Sequence, residues 1–146
     1  MSRRSKKGGA SAPRVVLDTG LLLHALLLGD DKARRLRQAW QGGACRPLIA
    51  AATAQLLMRA LACPALKLNA AQQQELLADF LPYAEVVADP APRSRGQASA
   101  SLQLAVSTAA RAEQLVSDCG RTRGAFSRLG AVPCGLLCSE EFLTSL

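Results

Sequence analysis

Two carboxylates sit where apolar segments end. The stretch RVVLDTGLLLHALLLGD, residues 14–30, is an apolar run that carries Asp18 at the point where a buried strand should close. QLVSD, residues 114–118, ends in Asp118 in the same way. An acid among apolar side chains is costly unless it has a partner or a task. If both segments are strands of one parallel sheet, both acids stand at carboxyl ends, where such sheets bind ligands, and they meet in one cleft. The competing reading of Asp18 is structural: it caps the helix behind it by accepting bonds from the first N–H groups. His24, six residues after Asp18, is either a cleft residue or an ordinary core or surface histidine. Arg93 and Arg95, in the loop DPAPRSRGQ of residues 89–97, either contact phosphate at the cleft mouth or solvate the loop.

The elements that must position these residues follow from periodicity and turn chemistry. Residues 14–18 are β-branched and apolar, a strand covered on both faces. Gly20 permits a tight exit, and Leu21 to Leu28 form a helix. Asp30 or Asp31 caps a helix through about Trp40, with Leu36 and Trp40 on one face and Arg34, Arg35 and Arg37 mostly elsewhere; Gly42 and Gly43 end it. Residues 46–50 form a short strand, and a helix from about Thr53 to Ala62 stops before Pro64. Asn69 and Gln72 form a capping box that opens a helix over 70–81, whose apolar side carries Leu76, Leu77 and Phe80. Residues 84–88 form a strand. An Ala-rich helix over 98–111 spaces Leu102, Ala105, Val106 and Ala109 by three and four. A strand at 114–117, a short helix near 122–128, a strand at 132–137 and a last helix at 139–145 capped by Ser139 complete the chain. Strands alternating with helices imply an α/β sandwich with a mostly parallel sheet.

Composition narrows the class. The 146 residues suffice for one core. Hydrophobic residues make up 49% and aromatics 3%, so the core is aliphatic and helix content is high. No apolar run reaches the ~18 residues of a membrane span. Asp18 and His24 interrupt the run from Val15 to Leu28, and the start is not of signal-peptide type, which points to the cytoplasm. The net charge is +7, yet Arg3, Arg4, Lys6, Lys7 and Arg14 fall in the first fourteen residues, leaving thirteen basic and eleven acidic residues in the body. Residues 1–13 read as a disordered basic tail and 14–146 as a single domain. The tail is either a salt-sensitive arm for nucleic acid or a solvated segment without a specific role. Five cysteines at irregular spacing argue against a disulfide framework, and Cys134-xxx-Cys138 lacks a second ligand pair for zinc. Most of the thiols read as small core residues.

With these elements in place, the chain resembles PIN-domain proteins, in particular VapC-like toxin components of toxin–antitoxin pairs. VVLDTGLLLHALL is similar to the family's first strand, whose pattern is Val-Leu-Asp-Thr-Asn before an apolar helix. PLIAAATAQLLMRALACPAL resembles its second strand and helix. AARAEQLVSDC resembles its helix-to-strand segment, and PCGLLCSEEFLTSL its closing strand and helix. The resemblance covers about residues 14–144. It implies a three-layer α/β/α fold with a parallel sheet. It also implies cleavage of RNA or single strands by Mg²⁺ or Mn²⁺ held on three or four carboxylates, which activate water and offset phosphate charge.

The site that the resemblance implies is mostly missing. Asp18 matches the first acid, but Gly20 stands where the family has Asn. The second acid falls on Gln55 or Leu56, and no Asp or Glu occurs from 32 to 74. The acidic third segment aligns with GQASAS, 96–101, placing Gln97, Ser99, Ala100 and Ser101 at acid positions. The fourth aligns with Cys119, one residue after Asp118, and along a strand one residue turns the side chain to the other face. The implied metal and catalytic set thus shrinks to Asp18 and Asp118, too few ligands to hold Mg²⁺ well. The resulting expectation is a PIN-like protein impaired as a nuclease that binds RNA or a partner protein, such as a cognate antitoxin or a second copy in a homodimer. The alternatives are an active Mg²⁺- or Mn²⁺-dependent endonuclease that recruits other acids, Asp89 or Glu113, and a purely structural interaction module. Leu-rich faces at 21–28 and 56–61 serve either the core or such an interface.

Overall fold

The computed structural model describes residues 12–90, 105–128 and 134–146. Its strands are β1 (Arg14–Leu17), β2 (Arg46–Ala50), β3 (Glu85–Val87), β4 (Gln114–Val116) and β5 (Gly135–Leu137). They form one sheet in the order β3-β2-β1-β4-β5, and every pairing is parallel. Parallel neighbours require crossovers, which helices supply. Helices α1 (Thr19–Leu27) and α2 (Asp31–Gln41) join β1 to β2, and α3 (Ala51–Leu61) and α4 (Ala70–Ala78) lie between β2 and β3. Residues 105–109 are helical before β4, α5 (Gly120–Ser127) joins β4 to β5, and α6 (Ser139–Ser145) closes the chain.

The alternation of side chains along each strand produces three layers. Val15 and Leu17 of β1, Ile49 of β2 and Val116 of β4 pack with Leu22, Leu36, Trp40, Leu57, Leu61, Phe80 and Phe142 on one face. Val16, Leu48, Ala50 and Leu115 face the other way, against Val106 and Phe126. A strand covered on both faces must be apolar throughout, which is why β1 reads as an unbroken run. The aromatic pair of the first layer meets edge-on: the Trp40 and Phe80 ring centroids lie 5.1 Å apart at 80°. The Trp40 indole N–H donates to Asp79 O at 2.8 Å, so its one polar atom is satisfied.

At the amino end of the sheet Arg14 ties three strands together. Its guanidinium pairs with Glu85 of β3 across β2, Nη2 to Oε2 at 2.8 Å, and also donates to Ala110 O at 2.9 Å. Its backbone N–H donates to Glu113 Oε1 at 2.9 Å. The Arg14 bond holds the Glu85 carboxyl below its ordinary range against the opposing pull of burial.

Several boundaries differ from the sequence expectation. Helix α1 starts at Thr19, two residues early, because the Asp18 carbonyl already accepts the Leu22 N–H at 2.9 Å. Gly20 therefore lies inside a helix and makes no tight exit; a Cβ there would meet nothing within 4 Å. Helix α3 starts at Ala51, where the Thr53 hydroxyl accepts the Ala50 N–H at 3.0 Å. The Asn69–Gln72 capping box forms with both bonds, yet α4 stops at Ala78 and the chain turns through a 3-10 segment, Leu81–Tyr83, that contains Pro82. The helix before β4 ends at 109, and Arg111 takes a left-handed φ of 55°. Ser139 does not cap α6: Cys138 holds that position, and Ser139 is the first helical residue. The cysteine reading also changes, since among the five only Cys45 is buried, and burial pushes its thiol up to about 12. The Leu-rich faces belong to the core at Leu21, Leu22, Leu26, Leu57 and Leu61, while Leu28 and Met58 are exposed. Residues 1–11, Leu102 and the start of the 132–137 segment lie outside the described residues. Among the described residues no helix is long and apolar enough to cross a membrane.

Phe80 and Met58 differ sharply in what truncation removes. Phe80→Ala should cost about 3–5 kcal/mol of unfolding free energy in urea, because it strips packing from Trp40 and leaves a cavity beside it. Met58→Ala, at a position 42% exposed, should stay within about 0.5 kcal/mol.

Candidate functional site

Register brings the site together. Leu17 pairs with Val116, so the next residues, Asp18 and Ser117, face each other where β1 and β4 end. The Asp18 N–H donates to Val116 O at 3.0 Å, which fixes its backbone to the neighbouring strand. Its side chain is 5% exposed and does not bond the N–H groups of α1. The capping reading of the Asp18 side chain is therefore corrected. Oδ2 instead accepts the Ser117 hydroxyl at 2.7 Å and the Thr122 hydroxyl, from the first turn of α5, at 3.2 Å. Ser117 is held in turn: its Oγ accepts the Cys119 N–H at 3.0 Å, and its carbonyl accepts Arg123 Nη1 at 3.1 Å. Two neighbouring elements thus supply hydrogen bonds to one oxygen of the buried acid.

Asp118 lies two residues past β4, and the chain there swings its carboxylate back toward the same cleft. A cavity of about 290 Å³ is lined by Asp18, Gly20, Leu21, His24, Lys32, Asp118 and Cys119. Asp118 Oδ1 accepts the Ser139 N–H at 2.8 Å, and Oδ2 accepts the Ser139 hydroxyl at 2.7 Å and Lys32 Nζ at 3.3 Å. Burial pushes the Asp118 carboxyl upward, but the Ser139 bonds and the Lys32 charge outweigh it, and the net shift is downward. His24 reaches the cleft wall and pairs with Asp30 at 3.0 Å, while Asp30 also caps α2 by accepting the Ala33 N–H at 2.8 Å. The N–H groups of Thr122 and Arg121, at the start of α5, lower the exposed Cys119 thiol against the effects of burial and the Asp18 charge.

The other candidates fall elsewhere. Gln55 and Leu56 are not among the cleft-lining residues. Asp89 Oδ1 accepts the Ala52 N–H at 2.9 Å at the start of α3 and does not line the cleft. Glu113 bonds the Arg14 N–H at the opposite end of the sheet from Asp18. The recruitment of Asp89 or Glu113 into the site is corrected accordingly. Arg93 and Arg95, and the segment 96–101, lie outside the described residues.

The described residues do not fit a resident divalent cation. Among the described residues there is no group of three or more His, Cys, Asp or Glu that could hold a metal. Asp118 spends both oxygens on internal donors, Asp18 accepts two hydroxyls on one of its own, and an ammonium group occupies the cleft beside them. Ser117, Thr122, Ser139 and Lys32 are site residues that sequence reasoning misses. The signal for the first two is the buried acid itself, since Asp18 needs donors and Ser117 is the polar residue that ends the neighbouring strand. Lys32 carries a fainter signal, a cation in the first turn of a helix, where the dipole disfavours it.

No protein-family model and no curated protein matches the chain. Among solved structures it is similar to VapBC2 from Rickettsia felis, crystallised bound to a DNA fragment from its promoter. The TM-score is 0.58 at 16% identity, and the match covers 86% of this chain and 98% of the other. The likeness shows a shared fold. Together with the parallel five-stranded sheet and helices on both faces, it makes this chain a PIN-like three-layer α/β/α sandwich.

Removing one donor from the Asp18 carboxylate leaves a buried charge under-satisfied. Ser117→Ala should therefore cost about 1–3 kcal/mol in urea unfolding. The lowered Asp118 carboxyl predicts a pH effect. A depressed folded-state value adds stability that is present above the ordinary carboxylate pKa, about 4, and is lost as pH falls through the lower folded value. Asp118→Asn should thus flatten the acid limb of a Tm-versus-pH curve below about pH 4.

Proposed function

We propose that this chain is a PIN-like, toxin-related module that binds RNA without cleaving it by the metal-dependent route. The observation that carries this reading is that both cleft carboxylates are engaged by protein donors, Asp18 by Ser117 and Thr122 and Asp118 by Ser139 and Lys32. A two-acid site held in this way gives no arrangement that positions water and balances phosphate charge, which cleavage requires. Asp18 and Asp118 are, on this reading, the remnant of a nuclease centre.

Charge supports nucleic acid as the ligand. Helix α5 starts at the cleft and carries Arg121 and Arg123, with Arg128 just past its end and no acid among them; Arg121 and Arg128 are exposed. Arg3, Arg4, Lys6 and Lys7 precede the described domain and add to a net charge of +7. Arg93 and Arg95 are proposed as further phosphate-binding residues. A protein partner of antitoxin type is the second reading, favoured by the similarity to VapBC2, and a homodimer belongs with it.

The test is fluorescence anisotropy with single-stranded RNA across a salt series in EDTA. Binding should persist without divalent ions and weaken as salt rises. Arg121→Ala with Arg128→Ala should lower the salt slope by about 0.7 for each phosphate these residues neutralise. Mn²⁺-dependent RNA cleavage that vanishes in Asp18→Asn would sink the proposal.

A further inference from the structure

We infer that Lys32 is the cleft's own cation, a tethered ammonium that takes at Asp118 the electrostatic role a divalent ion would otherwise have. The inference rests on the reading that the cleft holds no resident metal and goes beyond it by naming what replaces the ion.

Lys32 stands in the first turn of α2, where the unpaired N–H groups disfavour a positive charge. Something must compensate for that placement. The two acids nearest in sequence bond other partners, although the Lys32 charge also acts on Asp30: Asp30 accepts the Ala33 N–H and pairs with His24, and Asp31 pairs with Arg34 at 2.8 Å. Lys32 reaches instead across the cleft to Asp118 Oδ2 at 3.3 Å, eighty-six residues away in sequence. Both groups are more than a third exposed, so simple burial does not force them together. Asp18 lines the same cavity. A Lys head group and a metal ion would compete for Asp118, and a tethered ammonium needs no stripping of a hydration shell of the kind Mg²⁺ surrenders reluctantly.

The inference predicts that removing the ammonium reopens the cleft to metal. The experiment follows thermal unfolding of the full chain with and without about 5 mM Mn²⁺, in the absence of RNA. Wild type should show no Mn²⁺-dependent rise in Tm. Lys32→Glu, which supplies a third carboxylate, should have a lower Tm without metal, recover it with Mn²⁺, and bind Mn²⁺ about tenfold more tightly than wild type. Lys32→Glu combined with Asp118→Asn should lose that response. Should Lys32→Glu fail to fold, Lys32→Gln serves, with bound Mn²⁺ read from the loss of the free-ion paramagnetic resonance signal; the bound fraction should exceed that of wild type. No gain of Mn²⁺ binding in either variant overturns the role of Lys32 while leaving the metal-free RNA-binding reading in place. Mn²⁺ binding by wild type equal to that of the variants overturns both.

Discussion

A single buried carboxylate organises the carboxyl edge of this sheet. Asp18 leaves β1 almost fully enclosed, so its charge has to be met by donors fixed in place. Ser117 meets it from the adjoining strand end and Thr122 from the helix that follows. Those two bonds link the end of β1 to the exit of β4 and to the first turn of α5. The Cys119 N–H and the Arg123 guanidinium then lock Ser117 from the other side. Each bond is modest on its own, but losing one would leave charge in a low-dielectric interior, and that asymmetry makes the network stiff.

Asp118 follows different physics one residue past Ser117. It is partly exposed, and its partners lie on two further elements, Ser139 at the start of α6 and Lys32 at the start of α2. The two acids therefore tie four helices to two strand ends: α1 and α5 around Asp18, α2 and α6 around Asp118. In a divalent metal centre, an ion would collect such carboxylates from several elements. Here hydroxyls, one backbone N–H and one ammonium do the collecting. These bonds line a cleft with a cavity of about 290 Å³.

The fold is readable from the sequence because its determinants are local or periodic. Val15, Val16 and Leu17 announce a strand covered on both faces, and the Asn69–Gln72 box announces a helix start; both forms appear in the structure. Boundaries are less legible where tertiary packing sets them. Helix α1 is two residues longer at its start because Asp18 begins it with its carbonyl alone, and α4 is three residues shorter because the chain turns at Pro82. At the site, the convergence of Asp18 and Asp118 on one cleft follows from strand ends in a parallel sheet. Their partners are hidden for a physical reason: Ser117 and Thr122 become donors to Asp18 only through the β1–β4 register, and Lys32 meets Asp118 across eighty-six residues. The cysteines mislead because four of the five stand at element ends or in loops, where a small apolar residue is not required to be buried.

The central claim is that internal donors, rather than a divalent ion, satisfy the cleft carboxylates. It is tested most directly by a crystal structure grown in Mn²⁺ and measured at the manganese absorption edge. The account predicts no anomalous peak between Asp18 and Asp118, with the Ser117 and Thr122 hydroxyls still on Asp18 and Lys32 still on Asp118. An anomalous peak bridging the two carboxylates, with Lys32 displaced, would contradict it.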